Sequence, residues 1–234
     1  MKKELGDILS SSDSTHGLKR AARRLLKELA IYANHKKNII RSRIYLKKDF
    51  EKVQIGGGSH LLDGFLNIDV FPPADLIYDI REGIPLKSNS VKLIFSEHFL
   101  EHIDYPISVK FFVNECYRVL KKRGELIIGV PDSSLPIKAY LKNDKKFFNE
   151  IIKRWYSKRD CLGHFNTYID LVNYHFRDQD DNEKYTPHLW SYDKNKLTSL
   201  LVNGGFTAVK KWKFDSKLAN KERQFGSIYI IAKK

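Results

Sequence analysis

The chain has 234 residues, 42% hydrophobic and 12% aromatic, and carries a net charge of +14, a composition that suits one domain with a sizeable core. No long uncharged apolar run predicts a transmembrane helix, and the charged N-terminus lacks the apolar stretch and small-residue site of a signal peptide. The two cysteines, Cys116 and Cys161, fit neither a disulfide framework nor a zinc site, so a reducing cytoplasm is the expected compartment, with a peripheral place at the inner membrane face left open.

The charge is unevenly placed. Residues 1–48 hold thirteen Lys or Arg and four Asp or Glu, so +9 of the +14 lies in a fifth of the chain. Within that stretch, residues 17–33 read as a helix. Leu18, Ala22, Leu25 and Leu29 share one stripe, while Lys19, Arg20, Arg23, Arg24 and Lys27 occupy other faces. Ser12, Asp13, Ser14 or Thr15 supplies its N-cap. The region up to about residue 50 is expected to be a helical extension. Its stripe fits three partners: the rest of the domain, with the basic face solvated; an anionic membrane surface or lipid-linked substrate; or, without any of the usual recognition motifs, nucleic acid.

From residue 51 to 132 the pattern alternates strand and helix. Lys52-Val-Gln-Ile55 is an apolar strand running into the turn Gly56-Gly-Gly58, and Leu66-Asn-Ile-Asp69 is a second strand ending in a carboxylate. Glycines let a backbone approach a ligand closely, and an acid at the next strand tip can accept hydrogen bonds from ribose hydroxyls. Asp75–Asp79 reads as a strand ending in another acid. Val91–Ser96 leads into Ser96-Glu97-His98, Pro106–Leu120 is a helix covering the sheet, and Leu126–Asp132 is a buried strand after the turn Lys122-Arg-Gly124. Residues 133–185 then become aromatic, charged and helical, too long for a connecting loop, and are expected to form an insertion over the site (133–190) that contacts the acceptor. Asp193–Val202 reads as a helix closed by Gly204-Gly205, followed by strands at Thr207–Phe214 and Ser227–Ala232.

This ordered series resembles the class I S-adenosylmethionine-dependent methyltransferases, in particular a small bacterial type 11-like branch among glycan-biosynthesis enzymes. The matching segments are Gln54–Gly58, Leu66–Asp69, Ile84–Leu86, Ser96–His102, Arg118–Gly124, Val130–Asp132, His188–Asp193 and Leu200–Phe206. The usual Gly-Cys-Gly turn is Gly-Gly-Gly here, which keeps the backbone freedom. The resemblance implies an α/β, Rossmann-like sheet with helices on both faces and an antiparallel last strand. It implies S-adenosylmethionine as cofactor and S-adenosylhomocysteine as product. Residues 51–234 would be the binding domain, with Asp69 on the ribose, Gly56 and Gly58 along the methionine portion, Asp79 and Ile80 at the adenine, and Ser96 and Glu97 completing the cofactor side; Gly57 serves turn geometry.

Methyl transfer asks mainly for in-line positioning and exclusion of water. A hydroxyl acceptor also needs a base, and His98 and His188 are the candidates, since histidine titrates near neutral pH. His98-x-x-Glu101-His102 would put three potential ligands on one helix face. A similar Glu-x-x-Glu-His element holds a divalent ion in some small-RNA and ubiquinone-pathway O-methyltransferases. Leu-Glu-His is also frequent in methyltransferases that hold no metal, so no metal is assigned. The leading reading is O-methylation of a sugar, glycan or lipid-linked saccharide, with aromatic residues of the insertion stacking on sugar rings. An RNA methyltransferase using the basic extension and a noncatalytic module retaining the fold are the alternatives. A nicotinamide dehydrogenase is disfavoured because the third glycine of the dinucleotide fingerprint is missing.

Overall fold

The structure, a computed structural model, describes residues 2–156, 165–177 and 187–234. Two helices come first, α1 (Lys2–Ser10) and α2 (His16–Ser42). Of the four cap candidates Thr15 takes the role, its side chain accepting from Leu18 N–H. The basic helix runs well past Ala33 because nothing between there and Ser42 breaks it.

The sheet has seven strands: β1 (Lys52–Ile55), β2 (Leu66–Asp69), β3 (Leu76–Ile77), β4 (Val91–Glu97), β5 (Leu120–Pro131), β6 (Thr207–Lys211) and β7 (Ser227–Lys233). Their spatial order is β3-β2-β1-β4-β5-β7-β6. Strands β1 to β5 are parallel neighbours, and β7 runs antiparallel between β5 and β6. This is the Rossmann-like α/β sheet with an antiparallel last strand. The order reverses at β1 and β4, and the crevice at the carboxyl ends of those strands is where such sheets bind ligands.

Apolar runs set the layers. In β1 and β4, Val53, Ile55, Val91, Ile94 and Phe95 are fully buried, as expected of parallel strands covered on both faces. Helix α3 (Ile107–Val119) lays Val109, Phe112, Val113 and Cys116 on the sheet. Helix α7 (Lys194–Asn203) adds Leu197, Leu200 and Leu201, with Asp193 as its cap. Each large side chain so buried contributes about 1.5–3 kcal/mol.

Several boundaries differ from expectation. β3 shrinks to two residues because Asp79 turns out of the strand to cap the helical turn Ile80–Glu82. The expected turn at Lys122–Gly124 lies inside β5, as an irregularity with Arg123 at φ +66° between the Val91 and Leu93 pairings. The last two strands pair antiparallel, with β6 ending at Lys211, before the expected Phe214.

The insertion supplies α4 (Ser134–Leu141), α5 (Lys145–Ile151), a π turn at Ile152–Tyr156 and α6 (Tyr168–Arg177). They share a small core of their own, built on Ala139, Phe148, Ile151, Leu171 and Tyr174. Cys161 lies outside the described residues.

Candidate active site

The turn after β1 is shaped by two left-handed glycines. Gly56 has φ +71° and donates its N–H to Ile68 O, and a Cβ there would collide with the Phe99 side chain. Gly58 has φ +57° and donates its N–H to Asp69 Oδ2 at 2.9 Å, yet a Cβ on it would meet nothing within 4 Å. The space beside Gly58 is therefore open where the turn faces the crevice. Gly57 backs onto the Gln54 amide, which accepts from Leu62 N–H and donates to His60 O. Asp69, at the tip of β2, also accepts from Phe71 N–H. Two donors leave lone pairs on its carboxylate for a ligand.

The third strand presents a different picture. Asp79, 7% exposed, accepts from Arg81 N–H and from the Arg81 guanidinium through Nε at 3.0 Å and Nη2 at 2.7 Å. Arg81 in turn reaches Glu28 of α2 at 2.9 Å, and these carboxylates raise its pKa. The carboxylate expected at the adenine is thus held by an ion pair that ties α2 to the sheet. Asn34 Nδ2 to Val70 O, and Asp79 N–H to His35 Nδ1, extend the same seam. Ile80 is 3% exposed and packs in the main core.

At the end of β4 the residues separate by function. Ser96 is buried at 1% exposure. Glu97 points to the β6–β7 connection instead of the glycine turn: it accepts from Tyr229 Oη at 2.6 Å and from Asn220 N–H, and pairs with Arg223. Its anchored strand end steers His98, at φ +52°, into the insertion side of the crevice.

His98 to His102 are not on one α-helical face. β4 ends, His98 turns left-handed, and only Leu100–His102 form a 3-10 turn. Even so, the fold gathers the histidines. Glu101 is 1% exposed, with its Oε1 3.6 Å from His98 Nδ1 and 4.0 Å from His102 Nε2. The His188 ring lies 5.0 Å from that of His102, because Leu189 and Trp190 N–H both donate to Glu101 O. His98 Nε2 meets Ser227 Oγ at 2.8 Å, and His188 Nδ1 meets the His175 carbonyl at 2.9 Å. Burial pushes the Glu101 carboxyl up to about 8. It holds the His98 imidazole well below 6.5, with Arg223 and the neighbouring histidines adding to the effect, and brings His175 down to about 4. His98 is therefore neutral at neutral pH, as a base must be. Tyr105 and Trp190, stacked at 4.6 Å, stand beside this cluster.

With this geometry established, residues 73–128 match the family model of a methyltransferase domain. That match spans 56 of the 234 residues. The sheet order and the antiparallel β7 are those of the Rossmann-like fold that the resemblance to class I methyltransferases implies. A curated relative, uncharacterized protein MJ0638 of Methanocaldococcus jannaschii, is 30% identical over 105 residues, covering 45% of this chain and 43% of its own. The chain thus matches less than half the length of that relative. Solved S-adenosylmethionine-dependent methyltransferases from Methanosarcina mazei and Archaeoglobus fulgidus are each 17% identical. They cover 81% and 91% of this chain and 94% of their own, with TM-scores of 0.49 and 0.44.

Both predicted bases thus fall in one cluster around Glu101, apart from the Gly56–Gly58 and Asp69 group. Sequence reasoning missed Phe99, which packs on the glycine turn, and His175. For Phe99 the only signal was its place directly after the strand-end motif. His175 sits in an aromatic helix of the insertion and carried none.

Proposed function

We propose that this methyltransferase domain transfers the methyl group of S-adenosylmethionine to a hydroxyl oxygen of a sugar, glycan or lipid-linked saccharide. The observation that supports the cofactor half is the left-handed glycine turn at Gly56 and Gly58 beside Asp69, with open space next to Gly58. Gly56, Gly58 and Asp69 would hold the cofactor, which when bound supplies an already electrophilic methyl group. Asp79 then acts by fixing α2 and the turn that carries Ile80. His98, neutral and hydrogen-bonded to Ser227, is the base. As the oxygen–methyl bond forms and the sulfur–methyl bond breaks, the acceptor proton passes to His98 and S-adenosylhomocysteine remains.

Support for a saccharide acceptor comes from the aromatic rim. Trp190 is 40% exposed and stacks on Tyr105, whose hydroxyl accepts from Lys196 Nζ, an arrangement that suits the apolar face and hydroxyl edge of a sugar. A lipid-linked acceptor is favoured by α2. Leu18, Leu25, Tyr32 and Ile39 recur every seven residues and all stay exposed, so the predicted stripe is only partly covered, with Ala22 the buried member. Such a stripe drifts only about 20° per heptad. Together with the basic surplus of residues 1–48 it suits an anionic membrane surface.

Calorimetric titration with S-adenosylmethionine and S-adenosylhomocysteine, with NAD as control, tests the first step; micromolar binding of the first two alone is expected. Transfer of labelled methyl from S-adenosylmethionine to a lipid-linked saccharide fraction, and not to RNA, tests the second. Transfer to RNA alone would replace the acceptor class, and no binding of either ligand would leave a noncatalytic module.

A further inference from the structure

The Glu101 cluster holds more than a base requires. One ligand atom each from Glu101, His102 and His188 lies within 4.8 Å of the others. An ion at the centre of such a triangle stands no more than about 2.8 Å from each, against about 2.0–2.2 Å for metal bonds to imidazole or carboxylate, so side-chain shifts of under an ångström close the shell. We propose that Glu101, His102 and His188 bind one divalent transition-metal ion at the acceptor side of the crevice.

Three features of the surroundings support this. Among the described residues neither Glu101 oxygen accepts a hydrogen bond, although the side chain is 2% exposed. An isolated buried carboxyl of that kind costs about 1–3 kcal/mol, and a bound cation removes the deficit. The Tyr192 hydroxyl is likewise buried without a hydrogen-bond partner among the described residues. His188 has its Nδ1 at hydrogen-bond distance from the His175 carbonyl, which fixes the proton there and makes Nε2 the nitrogen that would coordinate. A metal-binding histidine is commonly oriented in this way by a backbone carbonyl.

Two imidazoles and one carboxylate suit zinc, manganese, iron or cobalt and leave coordination positions open. Resting on the methyl-transfer reading, those positions would take an acceptor oxygen and lower the pKa of its hydroxyl, as bound cations do for water. His98, with its Nε2 on Ser227 and its Nδ1 facing Glu101, then receives a proton already loosened.

The test is metal binding, read without activity. Chelator-treated full-length protein is titrated with Zn2+ by calorimetry and with Co2+ by visible absorption. One saturable site per chain is expected, with cobalt d–d bands reporting nitrogen and oxygen ligands. Glu101→Gln and His188→Ala should each weaken binding by at least about 100-fold, while His60→Ala, an exposed histidine elsewhere, should not. Far-UV circular dichroism and S-adenosylmethionine affinity check folding. Should Glu101→Gln misfold, His188→Ala, on an extended segment, decides. No saturable binding, or equal affinity in the variants, overturns the site. Metal binding without S-adenosylmethionine binding would leave the site standing and remove the methyl-transfer reading; the reverse would remove the site alone.

Discussion

The two halves of the crevice differ in how fully their polar groups are satisfied. On the β1–β3 side every predicted carboxylate has donors: Asp69 has two backbone N–H groups and Asp79 a guanidinium fork. On the β4 side the Glu101 carboxylate is buried among histidines and accepts no hydrogen bond among the described residues. In the first half most of these donors are near neighbours in sequence, with Glu28 of α2 joining from a distance through Arg81. The second is assembled from distant segments and keeps unpaired carboxylate oxygens among the described residues.

The sharpest break of this contrast is on the glycine turn. Gly56→Ala must adopt φ +71° and displace Phe99, so chemical denaturation should show a loss of about 2–4 kcal/mol, together with loss of S-adenosylmethionine binding. Gly58→Ala, with open space beside it, should lose only about 1–2 kcal/mol while still impairing the cofactor.

Next in size, Asp69→Ala should weaken S-adenosylmethionine binding by about 10- to 100-fold in calorimetry, the worth of hydrogen bonds to a charged group. Asp79→Asn should change that affinity less than about threefold but lower stability by about 1–2 kcal/mol, because it breaks a largely buried pair whose arginine is partly solvated. Equal effects of the two on affinity would return Asp79 to the adenine.

Tyr229→Phe removes the 2.6 Å donor to Glu97 and should cost about 1–2 kcal/mol, with cofactor affinity unchanged if Glu97 only anchors the β6–β7 connection. Smallest in stability is Leu25→Asp on the exposed face of α2, expected within about 0.5 kcal/mol of the parent. Sedimentation with anionic vesicles should nonetheless fall, and unchanged sedimentation would sink the membrane contact.

Local chemistry made much of this legible in advance. Gly56, Gly58 and Asp69 were readable because strand, turn and strand follow one another within a few residues, and the α3 and α7 helices because apolar spacing and the Asp193 cap are local signals. The extent of α2 was underestimated, since the apolar repeat continues through Tyr32 and Ile39 to near the helix end at Ser42. The ion pair of Asp79 was not legible for a related reason: its partner Arg81 is two residues away, but Arg81 also reaches Glu28 of α2, 53 residues distant.

By itself, then, the sequence determined the α/β alternation, the glycine turn and the residue types fit for methyl transfer, because each is encoded in spacing of a few residues. Only the tertiary structure decided that His98 leaves the helix register, that Glu97 serves the framework, and that His188 closes on Glu101 and His102. Those outcomes depend on long-range backbone pairing, such as Leu189 and Trp190 with the Glu101 carbonyl, and no local pattern records which distant segment will supply the partner.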